Sequence, residues 1–436
     1  MAVSGWLVLL VAAGIVPVVL LDAPVVLWWW LLGVAVLVAV DLLLAASPRA
    51  LRFERELPAR TRLGESVTAR LLITNPARRS LRGVVRDAWQ PSAGAVRTRH
   101  RITVPAGERR AVETRLRPFR RGERRAEHVT VRSFGPLRLA ARQATVAVTG
   151  TLRVLPPFAS RKHLPSRLAR LRELDGRTSV MIRGQGTEFD SLREYVRGDD
   201  VRSIDWRATA RRTDPTGAQK LVVRTWRPER DRRVVIVVDT GRLSAARVGD
   251  EPRIDTAFES SLLLGALASH AGDRVDLVMV DRRVRGRVQG ATGAELLTRM
   301  VEAMAPVEPE LIETDWAAVP GIVRSVTTQR ALLVLLTAID GIGSSRSLLS
   351  VLPQLTEKHL VMVASVSDPA EVEAARQRGD AREVYRAAAA ERSLLDAGRV
   401  AAAINRLGGE VVLGAPAELP PAVADRYLAL KAAGRL

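Results

Sequence analysis

Hydrophobic and polar positions follow three regimes along the chain. Val3 to Leu21 is apolar over about 19 residues, and Val25 to Ala46 continues for about 22 with Asp41 as its one charge. Each run is long enough for a helix to cross the roughly 30 Å hydrocarbon core of a bilayer. Asp22-Ala23-Pro24 leaves room only for a tight turn, so residues 1–48 are expected to form a hairpin of two transmembrane helices. A cleaved signal peptide would carry Lys or Arg ahead of its apolar stretch, and this one has neither. Trp28, Trp29 and Trp30 would begin the second span at the depth where indole rings are favoured.

From residue 49 to 155 the period changes to two. Short alternating runs such as SVTARLLITN, RGVVRDAW and RAVETRLRP are broken by Asn75-Pro76, Pro105-Ala106-Gly107 and Gly135-Pro136. Period-2 runs separated by turn residues predict an antiparallel β-sandwich of about seven strands. Residues 156–232 begin with a basic helical connector over Arg161 to Arg177. From residue 233 to 436 the pattern changes again. RRVVIVVD, RVDLVMV, ALLVLLT and HLVMVASV are continuous apolar runs, and amphipathic helical stretches alternate with them. Strands apolar on both faces, alternating with helices, predict an α/β doubly wound parallel sheet.

Charge refines this division. The net charge is +20, with 63 Arg against 4 Lys among the 67 basic residues. Arg49 to Arg142 holds 24 arginines and 8 acidic residues, a net of +16. The five arginines at 49, 52, 55, 60 and 62 follow the second span and have no counterpart in the Asp22 turn. By the positive-inside rule both ends of the chain are expected in the cytoplasm, at an inner or plasma membrane. A basic region there points to anionic lipid of the cytoplasmic leaflet, where each Lys or Arg contributes about 1 kcal/mol. Nucleic acid is not expected, because no reading module and no interleaved stacking aromatics occur. There is no cysteine, which excludes disulfides, thiolate metal sites and a cysteine nucleophile.

The densest chemistry lies in RGQGTEFDSLREYVRGDDVRSIDWRATARR, residues 183–212. Its candidate interaction residues are Gly184, Gly186, Glu188, Phe189, Arg193, Tyr195, Gly198, Asp199, Asp200, Arg202, Asp205, Trp206 and Arg211. Ser191 and Glu194 have the spacing of a capping box, and Asp200 is placed to cap a second helix running to Arg211. Two helical pieces broken at Gly198 are therefore expected. The carboxylates lie among arginines that hold them ionised, which argues for an ion-pair network and a docking face over acid/base catalysis. No phosphate loop, H-E-x-x-H or G-x-S-x-G occurs, and the chain is not expected to be an enzyme.

This segment, continued by LVVRTWRPERDRRVVIVVD, resembles the signature of a large bacterial family known only as a domain of unknown function, number fifty-eight. The resemblance implies a von Willebrand factor type A-like domain over 233–436. It also implies association with a MoxR-type AAA+ ATPase, in chaperone-like assembly or envelope maintenance. Such domains hold Mg²⁺ through D-x-S-x-S after the first strand and an Asp after a later one. Here the first element is Asp239-Thr240-Gly241-Arg242-Leu243, with neither serine in place, and Asp340 is a shifted second candidate. Asp239 and Asp340 therefore outline a degenerate metal site, and no cofactor is expected beyond a weakly held Mg²⁺. The competing reading has Asp239 capping its own turn and pairing with Arg242 or an arginine of the 183–212 segment.

Overall fold

The computed structural model describes residues 2–181, 188–196, 199, 201–211, 221–227 and 232–436. It divides into two compact units, Met1–Pro157 and Phe158–Leu436.

In the first unit the helix Val25–Leu44 is the one described helix long and apolar enough to cross a membrane. At 1.5 Å per residue its 20 residues reach about 30 Å. The apolar run before it is divided at Gly14. Ala2–Val3 is a short strand paired with Ala140–Ala141, and two helices follow, Gly5–Ala13 and Ile15–Leu21. Pro17 has no N–H to give Ala13, and Gly14 turns back to Val11, which leaves the Leu10 carbonyl for the Trp30 indole at 3.1 Å. A Cβ on Gly14 would overlap that indole. Trp28 and Trp29 remain exposed.

The C-terminal end of Val25–Leu44 is fastened to the strands of the same unit. Asp41 is fully buried and accepts the backbone N–H groups of Leu137 (2.8 Å), Leu139 (2.8 Å) and Ala140 (3.2 Å). Arg79 donates to the Leu43 carbonyl and Arg142 to that of Ala45. Two guanidinium groups thus meet the carbonyls that a helix end leaves unpaired.

Two sheets follow. Leu81–Trp89, Arg99–Val104, Gly122–Phe134 and Ala140–Leu155 belong to a six-stranded sheet, which Arg60–Arg62 joins in parallel with Ala140–Leu155. Arg52–Glu56, Val67–Thr74 and Arg109–Leu116 form a three-stranded antiparallel one. A shared core takes Leu71, Ile73 and Val112 from the smaller sheet and Leu81, Val85, Val129 and Val131 from the larger. One buried ion pair spans the sheets. Arg55 meets both carboxylate oxygens of Asp87 at 2.9 and 2.7 Å, lies 5.2 Å from the centre of the Trp89 ring, and bonds the Val148 carbonyl. The Trp89 indole donates to the same carboxylate at 2.7 Å.

The second unit is built on a six-stranded sheet. Its order is Val284–Val288, Arg274–Val280, Arg233–Asp239, Leu332–Leu336, Leu360–Val366 and Glu410–Gly414. All neighbours are parallel except the Val284–Val288 edge. Val235, Val237, Leu333, Leu335, Val361 and Val363 pack with Val319, Leu348, Leu352, Val400 and Ile404 of the helices. Val234, Ile236 and Val238, which alternate with the first two of these, are equally buried. Strands covered on both faces must be apolar at every position, which is why these runs do not alternate. Glu259, on the buried helix Arg253–His270, accepts the N–H groups of Ala159 and Ser160 at 2.8 Å each and so holds the start of the basic connector.

Candidate functional site

The described residues of the 183–212 segment include a strand and a helix. Glu188–Glu194 is a strand, antiparallel to Val222–Arg227, with Glu188 opposite Arg227 and Phe189 opposite Trp226. The helix expected from Ser191 does not form, because pairing with Val222–Arg227 claims the same backbone groups. Gly184, Gly186, Gly198 and Asp200 lie outside the described residues. Tyr195 extends the pairing by donating its N–H to the Leu221 carbonyl at 2.8 Å. Asp199 closes the turn, taking Arg193 at 2.6 Å on one oxygen and the Val196 N–H at 2.9 Å on the other. Arg202 lies in the short turn Val201–Ser203.

The second helix exists, but it is Trp206–Arg211, and its cap is Asp205. One Asp205 oxygen accepts the N–H groups of Arg207 (3.0 Å) and Ala208 (2.9 Å), and the other accepts Arg224 at 2.8 Å. The Ala208 N–H and the Arg224 guanidinium hold this carboxyl below the usual carboxylate range. Thr209, buried on the same helix, accepts the Val222 N–H at 3.0 Å. Asp205 and Thr209 thus bind the helix to the strand, while Trp206 and Arg211 point outward. Trp206 is 66 % exposed, and Leu192, Val196 and Val201 are exposed with it.

The Asp239 region is built differently. Asp239 ends the central strand at the carboxyl edge, where open α/β sheets place ligands. Its Oδ1 accepts the Gly241 N–H at 2.8 Å and the Thr314 hydroxyl, and its Oδ2 accepts the Thr337 hydroxyl at 2.6 Å. Asp340 is paired with Arg253 instead. Arg242 does not reach Asp239 but pairs with Glu313 at 3.0 Å. Residues 310–315 lie across the strand ends. Glu310 N–H bonds the Thr240 carbonyl, Arg242 N–H bonds that of Ile312, and Asp315 N–H bonds that of Asp281. Among the described residues no group of three or more Asp, Glu or His is placed to hold a metal ion.

Asp281 was not singled out by the sequence, although it directly follows the neighbouring strand Arg274–Val280, beside the end at Asp239. It is fully buried, and burial pushes its carboxyl up. The Arg285 guanidinium (2.8 Å), the Arg283 N–H (3.0 Å) and the Thr240 hydroxyl (3.2 Å) together outweigh that and hold it below the ordinary value. A depressed carboxylate stabilises the fold above its unfolded value, near pH 4, and that stability is lost as pH falls through the folded value. Asp281→Asn is therefore expected to flatten the acid limb of stability against pH below about pH 4. Denaturation at several pH values tests this, and an unchanged acid limb would remove Asp281 from the account.

The family model described as "Protein of unknown function DUF58" matches residues 191–383. The match is under half of the 436-residue chain and runs from the Glu188–Glu194 strand into the α/β sheet and its helices. Uncharacterized proteins of Mycobacterium bovis and Mycobacterium tuberculosis are each 29% identical over 197 residues. These alignments cover 44% of this chain and 59% of each relative, so the chain spans about three fifths of the length of the curated relatives it matches. Among solved structures, the complex of zinc α2-glycoprotein and prolactin-inducible protein from human seminal plasma aligns at 13% identity, 24% of this chain, 92% of that one and TM-score 0.20. The CARDB domain of a Pyrococcus furiosus protein, in complex with di-metal ions, aligns at 11% identity, 26% of this chain, 91% of that one and TM-score 0.18. Scores this low carry no weight for either unit.

Proposed function

We propose that this chain is a membrane-anchored interaction module that presents the 183–212 segment to a protein partner in the cytoplasm. In this reading residues 1–48 are a two-span hairpin and 49–155 a β-sandwich. Residues 156–232 are the connector and docking segment, and 233–436 a doubly wound domain of the von Willebrand factor type A kind. The partner is a MoxR-type AAA+ ATPase, and the process chaperone-like assembly or envelope maintenance.

The observation that carries the reading is Trp206. A helix of six residues keeps its tryptophan 66 % exposed while Asp205 and Thr209 fix it to the strand behind. Tryptophan and arginine are enriched among residues that dominate binding energy, and Arg207 stands beside it. Two carboxylates of this segment hold the frame, Asp199 paired with Arg193 and Asp205 paired with Arg224.

Purified MoxR-type ATPase from the same host, titrated against the full chain in detergent, tests the proposal. Trp206→Ala is expected to weaken binding about thirtyfold, the scale of a hot-spot residue, with thermal stability unchanged. Equal affinity of wild type and Trp206→Ala would rule out this segment as the docking face. Asp205 is the wrong residue for such a test, because replacing it uncaps the helix.

A further inference from the structure

The larger sheet of the first unit carries a groove lined by arginines on its outward face. Arg86, Arg97, Arg99, Arg101 and Arg132 surround an open groove of about 440 Å³, with Phe134 at one end. Strand register sets Arg86 directly opposite Arg99, and Val84 between Arg101 and Arg132. Like charges directly opposite across a strand pair are destabilising. Some exposed arginines of this unit have carboxylate partners, as in Arg70 with Glu113, Arg110 with Glu108 and Arg125 with Glu123. Around the groove no carboxylate of the described residues pairs with any of the five. Arg132 is steadied by Gln143 at 2.8 Å and Arg97 by the Arg99 carbonyl at 3.1 Å, contacts that orient a guanidinium without cancelling its charge. The opposed pair therefore costs stability that an anion would return.

The location of the groove narrows the choice of anion. Phe134 precedes Gly135, whose Cα lies so close to Asp41 that a Cβ would overlap it, and Leu137, Leu139 and Ala140 hold the Asp41 carboxylate. The groove thus begins where the apolar helix Val25–Leu44 is fastened. At about 3.3 Å per residue Arg132 lies roughly 7 Å along the strand from Phe134, and Thr130, which the register sets opposite Arg86, roughly 13 Å, a gap that a long arginine side chain reaches back across. The polar layer of a bilayer leaflet is about 5–8 Å thick. Guanidinium forks match phosphate oxygens in pairs, and the half-buried Val84 and Phe134 offer apolar contact to a glycerol backbone.

Resting on the membrane reading of the apolar helices, we propose that this groove binds the phosphate of an anionic phospholipid headgroup in the leaflet from which Val25–Leu44 emerges. The bound lipid neutralises the Arg86–Arg99 opposition and fixes the depth of the sheet against the membrane surface.

The full chain in detergent, titrated with dihexanoyl-phosphatidylglycerol, dihexanoyl-phosphatidylcholine and sodium pyrophosphate, tests the site by calorimetry. The glycerol lipid is expected to bind at least about tenfold tighter than the choline lipid, the scale of one charge-assisted hydrogen bond. Arg99→Gln with Arg132→Gln should lose that preference, while Arg70→Gln with Arg110→Gln, equal in charge but on the other sheet, should keep it. Arg99→Gln alone should raise the melting temperature of the lipid-free protein, because it relieves the opposed pair. Equal binding of the two lipids, or equal loss in both double variants, would overturn the proposal. So would a lower lipid-free melting temperature in Arg99→Gln, since the pair would then be structural. Tighter binding of pyrophosphate than of the lipid would make the ligand a soluble phosphate compound and also overturn it. Flotation of each variant with phosphatidylcholine vesicles reads the anchor alone. Failure of the wild type to float would remove the membrane reading whatever the groove binds.

Discussion

Asp87→Ala is expected to destabilise the first unit by about 3–5 kcal/mol, the range seen when one partner of a buried ion pair is removed. Arg55 is 3 % exposed and its only carboxylate partner among the described residues is Asp87, itself 1 % exposed. Truncation leaves the guanidinium buried without its counter-charge and the Trp89 indole without its acceptor. For a β-domain of about a hundred residues that corresponds to a fall in melting temperature of more than 10 °C. Glu113→Ala, which breaks the exposed pair with Arg70, should cost less than about 1 kcal/mol. Replacing both partners, Arg55→Met with Asp87→Leu, should recover most of the loss, because a well-packed apolar pair has no desolvation penalty to offset. Urea denaturation of the three variants decides the matter. A loss under 1 kcal/mol in Asp87→Ala would mean that water reaches Arg55.

The second large effect falls on Asp239. Asp239→Ala removes the acceptor of one N–H and two hydroxyls in a buried place, and about 2–4 kcal/mol of stability should be lost. The same hydrogen bonds bear on metal binding. Both hydroxyls that would face an ion are turned toward the carboxylate, and Asp340 is engaged by Arg253. Millimolar Mg²⁺ is therefore expected to leave the melting temperature of the wild type unchanged. A rise that Asp239→Ala abolishes would restore the metal reading, because a ligand that binds only the folded state must stabilise it.

Periodicity carried most of the strand assignments. Ala69, Leu71 and Ile73 face inward and Thr68 and Arg70 outward, so Val67–Thr74 was legible from alternation alone. Arg233–Asp239 was legible for the opposite reason, since no polar position interrupts it before Asp239. The Glu188–Glu194 strand was misread because Ser191 and Glu194 carry a local helical signal that pairing with Val222–Arg227 overrides. The cap was misplaced from Asp205 to Asp200 for lack of the Arg224 contact, nineteen residues away. Asp87 and Arg55 are 32 residues apart and Asp239 and Thr314 are 75 apart, on segments that no shared period links. Spacing reports what one element does with its own face, and these contacts depend on how elements meet.

Asp41 adds a matter of timing. Its three N–H donors lie 96 to 99 residues later in the chain. At a synthesis rate of about 5–20 residues per second, those donors leave the ribosome roughly 5–20 seconds after Asp41 does. During that interval the carboxylate has only water or transient donors to satisfy it, so the apolar helix exists first without its fastening and later as a fixed stem. The turn from Gly135 to Ala140 is what converts the first into the second.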